Sequence, residues 1–323
     1  MKNKYRLPLL AAALMVVLYC GVRCGSANLS TAHFLAALRF APGAETESLI
    51  LWAVRLPRVC AGIVAGAGLA LSGVLLQAVT DNDLAAPNII GVNAGAGLAV
   101  VLCLTFVPTA SLLLPGAAFV GACLTTLLIT ALAGNNSRSS VILAGVAVTA
   151  ILNAVISSFT YVDTDLLAAY NAFSVGGLRG VGFGQLWLPA VMILLCAGAG
   201  LLAAGQIDLL CLGDSGAAVL GVPVGRIRLL CILCASASAA AAVSFSGLLG
   251  FVGLIVPHIA RRLVGTRTSV LIPASMLLGA AVTVAADLAG RVLAAPSEIP
   301  VGIMMDFIGG PFFLYLLIRR RKG

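Results

Sequence analysis

Apolar residues fall in blocks of roughly twenty along almost the whole chain, separated by short polar punctuation, and that spacing predicts helices that cross a membrane. The stretch 245–265, FSGLLGFVGLIVPHIARRLVG, concentrates the pattern: it begins glycine-rich, runs through Pro257 and stops on Arg261 and Arg262. A proline removes a backbone donor and bends a helix that contains it, so this segment reads as a kinked helix ending at a cytoplasmic surface. The block 229–264 is too long for one crossing and short for two, which splits it near 246–250. The same reading gives ten spans: 7–25, 59–79, 89–107, 112–133, 141–161, 186–205, 229–246, 250–264, 270–290 and 301–318. Between them lie an external segment at 26–52 with short amphipathic helices, a glycine-broken outer segment at 170–184, and a long polar loop, 206–228, with a short helix expected at 214–220.

Composition turns the pattern into a class. Of 323 residues, 61% are hydrophobic and 9% charged. Soluble domains carry about 25% charged residues and under about 50% apolar ones, so this chain reads as an all-α polytopic membrane protein in which no separate soluble domain is seen. The ten-residue alternation of an outer-membrane barrel is absent. The 36 glycines suit close helix packing, with Gly62 and Gly66 forming a GxxxG pair.

Charge then gives orientation. The net charge of +8 points to the membrane rather than to nucleic acid, because the basic residues sort by side. Lys2, Lys4 and Arg6 precede the first apolar block, read as an uncleaved span rather than a signal peptide, and Arg319–Lys322 close the last. Positive residues stay inside, so both termini are expected in the cytoplasm, with Arg138, Arg226, Arg228, Arg261, Arg262 and Arg267. Arg55, Arg58 and Arg291 then fall at outer helix ends. Outward-facing guanidiniums there would dock carboxylates, the competing reading being that they snorkel to lipid headgroups.

Motifs of covalent chemistry are missing. No GxxxxGK[ST] loop occurs, and the lysines are Lys2, Lys4 and Lys322 alone. GxSxG and HExxH are absent, His33 and His258 stand apart, and the nine cysteines show no ligand spacing, so neither metal nor cofactor is expected. Transport is what remains. Asp287 precedes Arg291 by one helical turn and reads as its i,i+4 partner. Asp306, about two turns into the last span, is the one residue on which an ion-coupled secondary carrier would rest. With so few intramembrane acids, a pump driven by a partner is the leading reading.

Four stretches resemble a known family. RLPR at 55–58, the following GAGLALSGVLLQAVTDNDLAAPNIIGVNAGAG, GFVGLIVPHIARRLVG at 250–265, and EIPVGI with IGGPFFLYLLIRR inside 298–320 are similar to the FecCD permeases, the membrane subunits of ABC importers for iron–siderophore complexes, haem and cobalamin. The likeness spans essentially the whole chain. It implies a type II ABC importer permease fold of ten helices in the inner membrane, working as a homodimer. Two cytoplasmic ATPase subunits would drive it by alternating access, and an extracytoplasmic substrate-binding protein would deliver the cargo, with iron–siderophore complexes ahead of haem and cobalamin. The resemblance assigns Arg55, Arg58 and Arg291 to docking of that binding protein. It assigns ATPase coupling to Gly213, Asp214, Ala217, Leu220, Gly221, Val222 and Pro223, with Pro257, His258, Arg261 and Arg262 nearby. The gate maps to Asn136, Ser139 and Ser140, and the pathway to Phe173, Gly176, Gly177 and Asp306. Asp306 stands where a small or hydroxyl residue is expected, and Arg179 in GGLRGVGFG is also a departure.

Overall fold

Inside a bilayer a chain must satisfy its main-chain polar groups within each segment, and every regular element among the described residues is helical. The computed structural model describes residues 6–25, 30–40, 43–107, 111–133 and 138–320, without the side chains of 89, 111, 138, 139, 316, 317, 319 and 320. The order begins with α1 (Arg6–Arg23), α2 (Thr31–Leu38) and α3 (Glu45–Leu49), then a π-helical turn (Ile50–Arg55) leading into α4 (Leu56–Thr80). A 3₁₀ turn (Pro87–Ile90) precedes α5 (Val92–Phe106), followed by α6 (Leu114–Ala133), α7 (Arg138–Val162), α8 (Thr164–Val175) and α9 (Phe183–Leu202). Short helices α10 (Ala204–Leu210) and α11 (Asp214–Val219) lead to α12 (Val224–Ser246), α13 (Val252–Val264), α14 (Thr268–Leu293) and α15 (Val301–Arg320).

Among the described residues, seven helical stretches are long and apolar enough to cross a membrane: α1, 45–80, α6, α7 from Ser140, α9, α12 and α14. α5 and the first fifteen residues of α15 are shorter apolar helices, and α13 has 13 residues. The span expected at 59–79 is the centre of one unbroken helix of 36 residues, 45–80. That is about 54 Å at 1.5 Å per residue, well beyond a hydrocarbon core of about 30 Å, so it extends past the membrane. Pro57 does not break it. The turn just before it is π-helical, with Leu56 N bonded to Leu51 O five residues back, and that wider pitch accommodates the proline ring inside a continuous helix. The block 229–264 does break, at 247–251, where Gly247 (φ +66°) and Phe251 (φ +62°) adopt left-handed backbone.

α4 is the centre of the molecule: 78% of its most apolar window is buried, against 6% for α1 at the periphery. It packs on α14, α12, α13 and α9. A methyl on Gly66 would overlap the Gly279 carbonyl, and one on Gly73 the Gly253 carbonyl, so α4 meets α14 and α13 at backbone contact. Helix direction sorts the polar chemistry to two ends. The C-termini of α1 and α14 share one end with the N-termini of α4 and α15. The C-termini of α4 and α13 share the other with α10, α11 and the N-termini of α12 and α14.

Candidate functional site

At the first end, two arginines meet the C-terminus of α1 and a third lies behind them. A helix leaves its last four carbonyls unpaired and its C-terminus partly negative, so cations are drawn there. Arg55 donates to the carbonyls of Val22 (3.1 Å) and Arg23 (2.8 Å), and Arg291 to those of Gly21 (3.1 Å) and Cys24 (3.2 Å). Behind them Arg58 places Nε and Nη2 on Asp287 at 2.9 to 3.1 Å and Nη1 on Glu298 at 2.7 Å. Arg291 Nε lies 3.0 Å from Asp287 Oδ2, the i,i+4 pair expected from spacing. The outward-facing orientation expected of these arginines is corrected: all three are buried, because α1 carbonyls and a fully enclosed Asp287 draw them inward. Asp287 and Glu298 compensate Arg58 from the far end of the chain; neither partnership across sequence is readable from the RLPR motif alone.

Close to the same end, three helix ends converge. Gly177 N donates to Ser246 O (2.8 Å), Leu248 N to Phe173 O (3.2 Å) and Gly302 N to Gly176 O (3.4 Å), which ties α8, α12 and the start of α15 together. The junction tolerates no side chain at Gly247, where a Cβ would strike the Phe173 carbonyl, and none at Gly302, which abuts the Val175 carbonyl. Beside this junction is a cavity of about 600 Å³. Its lining includes the expected pathway residues Phe173, Gly176 and Gly177, and also Arg179. Asp306 is outside the lining. It is exposed on α15, where Gly250 leaves room for its carboxylate. Phe245, Ser246, Gly247, Pro300 and Ile303 also line it and escaped sequence reading as pathway residues, although the break at 246–250 was the available signal.

The opposite end is built around Pro257. Its missing N–H leaves the Gly253 carbonyl without a donor inside α13. Gln77, buried on α4, supplies one: its Nε2 reaches Gly253 O (3.3 Å), Leu254 O (3.4 Å) and Ala85 O (3.3 Å). Its Oε1 accepts from Arg261 (2.5 Å), which also pairs with Asp83 at 2.6 Å. A lone glutamine in an apolar span was the sequence signal for this cluster. Asp208 accepts from Thr268 N (2.8 Å) at the start of α14. The expected short helix is α11, tied to α12 by Asp214 and Arg228 at 2.7 Å. Ala217 and Val222 are buried and anchor it, whereas Leu212, Val219 and Leu220 are 63, 87 and 57% exposed, so its outer face is apolar. Of the other residues named for coupling, Asp214, Gly221, Pro223 and Arg262 are exposed, Gly213, His258 and Arg261 half-buried, and Pro257 buried. His258 sets its ring edge-on to Phe312 at 6.0 Å. Of the gate residues, Asn136 lies outside the described residues, and Ser139 and Ser140 open α7.

Comparison with known proteins gives one consistent match. The model of the FecCD transport family covers residues 13–319. The iron(3+)-hydroxamate import system permease of Bacillus subtilis is 35% identical, with 99% of each chain covered. The hemin transport system permease of Yersinia pestis is 34% identical over 98% of this chain and 97% of its own. Among solved structures, one described as an inward-facing metal-chelate type ABC transporter superposes with a TM-score of 0.87 at 30% identity, covering 97% of this chain and 98% of that one.

Proposed function

The chain belongs to the FecCD transport family, and from that premise we propose that it is the membrane-spanning permease subunit of an ATP-driven importer for metal chelates. It is a multi-pass protein of the cytoplasmic membrane and a transport subunit; the family implies an ATPase and a binding protein as partners. In this reading two copies pair across a two-fold axis, each with ten crossings and both termini in the cytoplasm. Two separate ATPase subunits grip the end that carries 206–228. An extracytoplasmic binding protein docks at the end of Arg55, Arg58 and Arg291, with Asp287 and Glu298 holding the last two in place. Cargo passes from that end through the cavity beside Phe173, Gly176 and Gly177 to a gate at Asn136, Ser139 and Ser140. The cargo is an iron–siderophore complex, with haem and cobalamin as the other members of the class.

The observation that carries the reading is α11. A six-residue helix cannot hold its shape alone, and this one is pinned by Ala217, Val222 and the Asp214–Arg228 pair while it presents Leu212, Val219 and Leu220 to the outside. That is the form of a helix-in-groove contact, here with the ATPase. The test is reconstitution of the permease with its ATPase and binding protein in vesicles. ATP-dependent accumulation of a ferric chelate is expected, and Val219→Asp with Leu220→Asp should abolish both ATPase retention and uptake without moving the melting temperature. Uptake that persists without any ATPase subunit and is lost in Asp306→Asn would instead establish an ion-coupled carrier.

A further inference from the structure

Among the described residues, the cavity at the three-helix junction carries one charged side chain and no acid. Its walls are the rings of Phe173 and Phe245, the aliphatic groups of Val175, Pro300 and Ile303, and glycine main chain; Asn171 and Ser246 are its neutral polar groups, and Arg179 its only ionisable one. The segment that bears Arg179 is fixed. Leu178 and Val181 on either side of it are buried, at 1% and 7% exposure, so the loop is nailed down at both ends and Arg179 is the residue left standing out. Gly177, Gly180, Gly182 and Gly184 have nothing within reach of an added Cβ, which leaves open space around a long side chain. No hydrogen bond or ion pair engages the Arg179 guanidinium among the described residues. Arg179 is solvent-exposed beside the cavity, so its guanidinium is hydrated when the cavity is empty; it repels a cationic cargo and gains nothing from a neutral one. A carboxylate would give it the planar, two-oxygen partner that guanidinium geometry matches.

We infer that Arg179 selects cargo in this permease: the chelate it passes carries at least one free carboxylate, which Arg179 engages as the cargo enters the cavity. This rests on the importer reading above and narrows its substrate class to anionic chelates, away from uncharged ferric trihydroxamates. The volume suits it, since about 600 Å³ lies within the range of roughly 300 to 1,000 Å³ typical of small-molecule sites. On α15 the lining stops at Ile303, so the Asp306 carboxylate, three residues further on, does not oppose Arg179 within the cavity.

The experiment is ATP-dependent uptake into vesicles that hold the complete importer, with four probes: ferric citrate and haemin, which carry carboxylates, and an uncharged ferric trihydroxamate and cyanocobalamin, which expose none. At least one carboxylate-bearing probe should be carried. Arg179→Gln should raise its apparent KM about fivefold, the effect of one partly exposed ion pair, and Arg179→Lys should recover much of the loss. Half-saturation should also rise with salt in the wild type and lose that dependence in Arg179→Gln. Uptake of uncharged probes alone, or equal uptake of an anionic probe by wild type and Arg179→Gln, overturns the inference and leaves the importer reading standing. Absence of ATP-dependent uptake for all four, together with no stimulation of the ATPase by the binding protein, overturns both.

Discussion

At the scale of single residues, Gln77 does the most with the least signal. Pro257 lies 180 positions away, yet the carbonyl it frees is answered by Gln77, which also accepts from Arg261. Interhelical side-chain hydrogen bonds in membranes average about 0.6 kcal/mol, but removal of this one amide strands several buried groups at once, which raises the cost to about 1–3 kcal/mol. Gln77→Leu should therefore lower thermal stability in detergent measurably. Arg261→Leu should add less than its own single effect when the two are combined, because each removes the other's partner. Strictly additive losses would mean that Gln77 and Arg261 act independently. Sequence could mark Pro257 and Arg261 as unusual, since both interrupt an apolar run, but hydropathy carries no information about which distant side chain completes a proline's missing bond. The same holds for Arg58, whose partners Asp287 and Glu298 lie 229 and 240 residues away. The i,i+4 pair of Asp287 with Arg291 was legible because helical periodicity alone brings it together.

At the scale of elements, apolar block length locates helices and glycine locates their ends, but proline misleads. The break at 247–251 follows from block length and glycine, and the short helix at 214–219 was expected within the long polar loop. The continuous helix 45–80 does not follow, because Pro57 looks like a boundary until the π turn that accommodates it is known. The junction of α8, α12 and α15 shows what such breaks are for: three interrupted helices expose main chain, and that main chain is used to bind them to one another. Its glycines differ in kind. Gly247 is at φ +66° against the Phe173 carbonyl, whereas Gly177 has open space at its missing Cβ. Gly247→Ala should cost about 1–3 kcal/mol through left-handed strain and the overlap, and Gly177→Ala should stay within about 0.5 kcal/mol of wild type. Thermal unfolding of both in the same detergent decides it; equal stability would mean that the junction is loose enough to yield.

At the scale of the whole molecule, the question is which end faces the cytoplasm. Helix direction puts Arg6, Arg226, Arg228, Arg261, Arg262 and Arg267 at the end that carries α11, and Arg6 bonds the Leu263 carbonyl there, so the N-terminus of α1 and the C-terminus of α13 share that face. At the other end, Arg58 and Arg291 are neutralised by Asp287 and Glu298 and buried, so they contribute little net charge to the surface. The other arginines of that end, Arg23, Arg39, Arg55 and Arg179, are offset in number by Glu45, Glu47, Asp163 and Asp165, so excess positive charge is concentrated on the end with α11, and the rule that such charge is retained inside assigns that end to the cytoplasm. The assignment is open to a direct check. In a background where the exposed Cys24 and Cys211 are replaced by serine, Thr46→Cys and Ser215→Cys place single exposed thiols at opposite ends. A membrane-impermeant maleimide applied to intact cells should label the thiol at position 46 and reach the one at 215 only after permeabilisation. Labelling of both from the same side would remove the premise on which the ATPase contact at α11, the docking end and the direction of transport all depend.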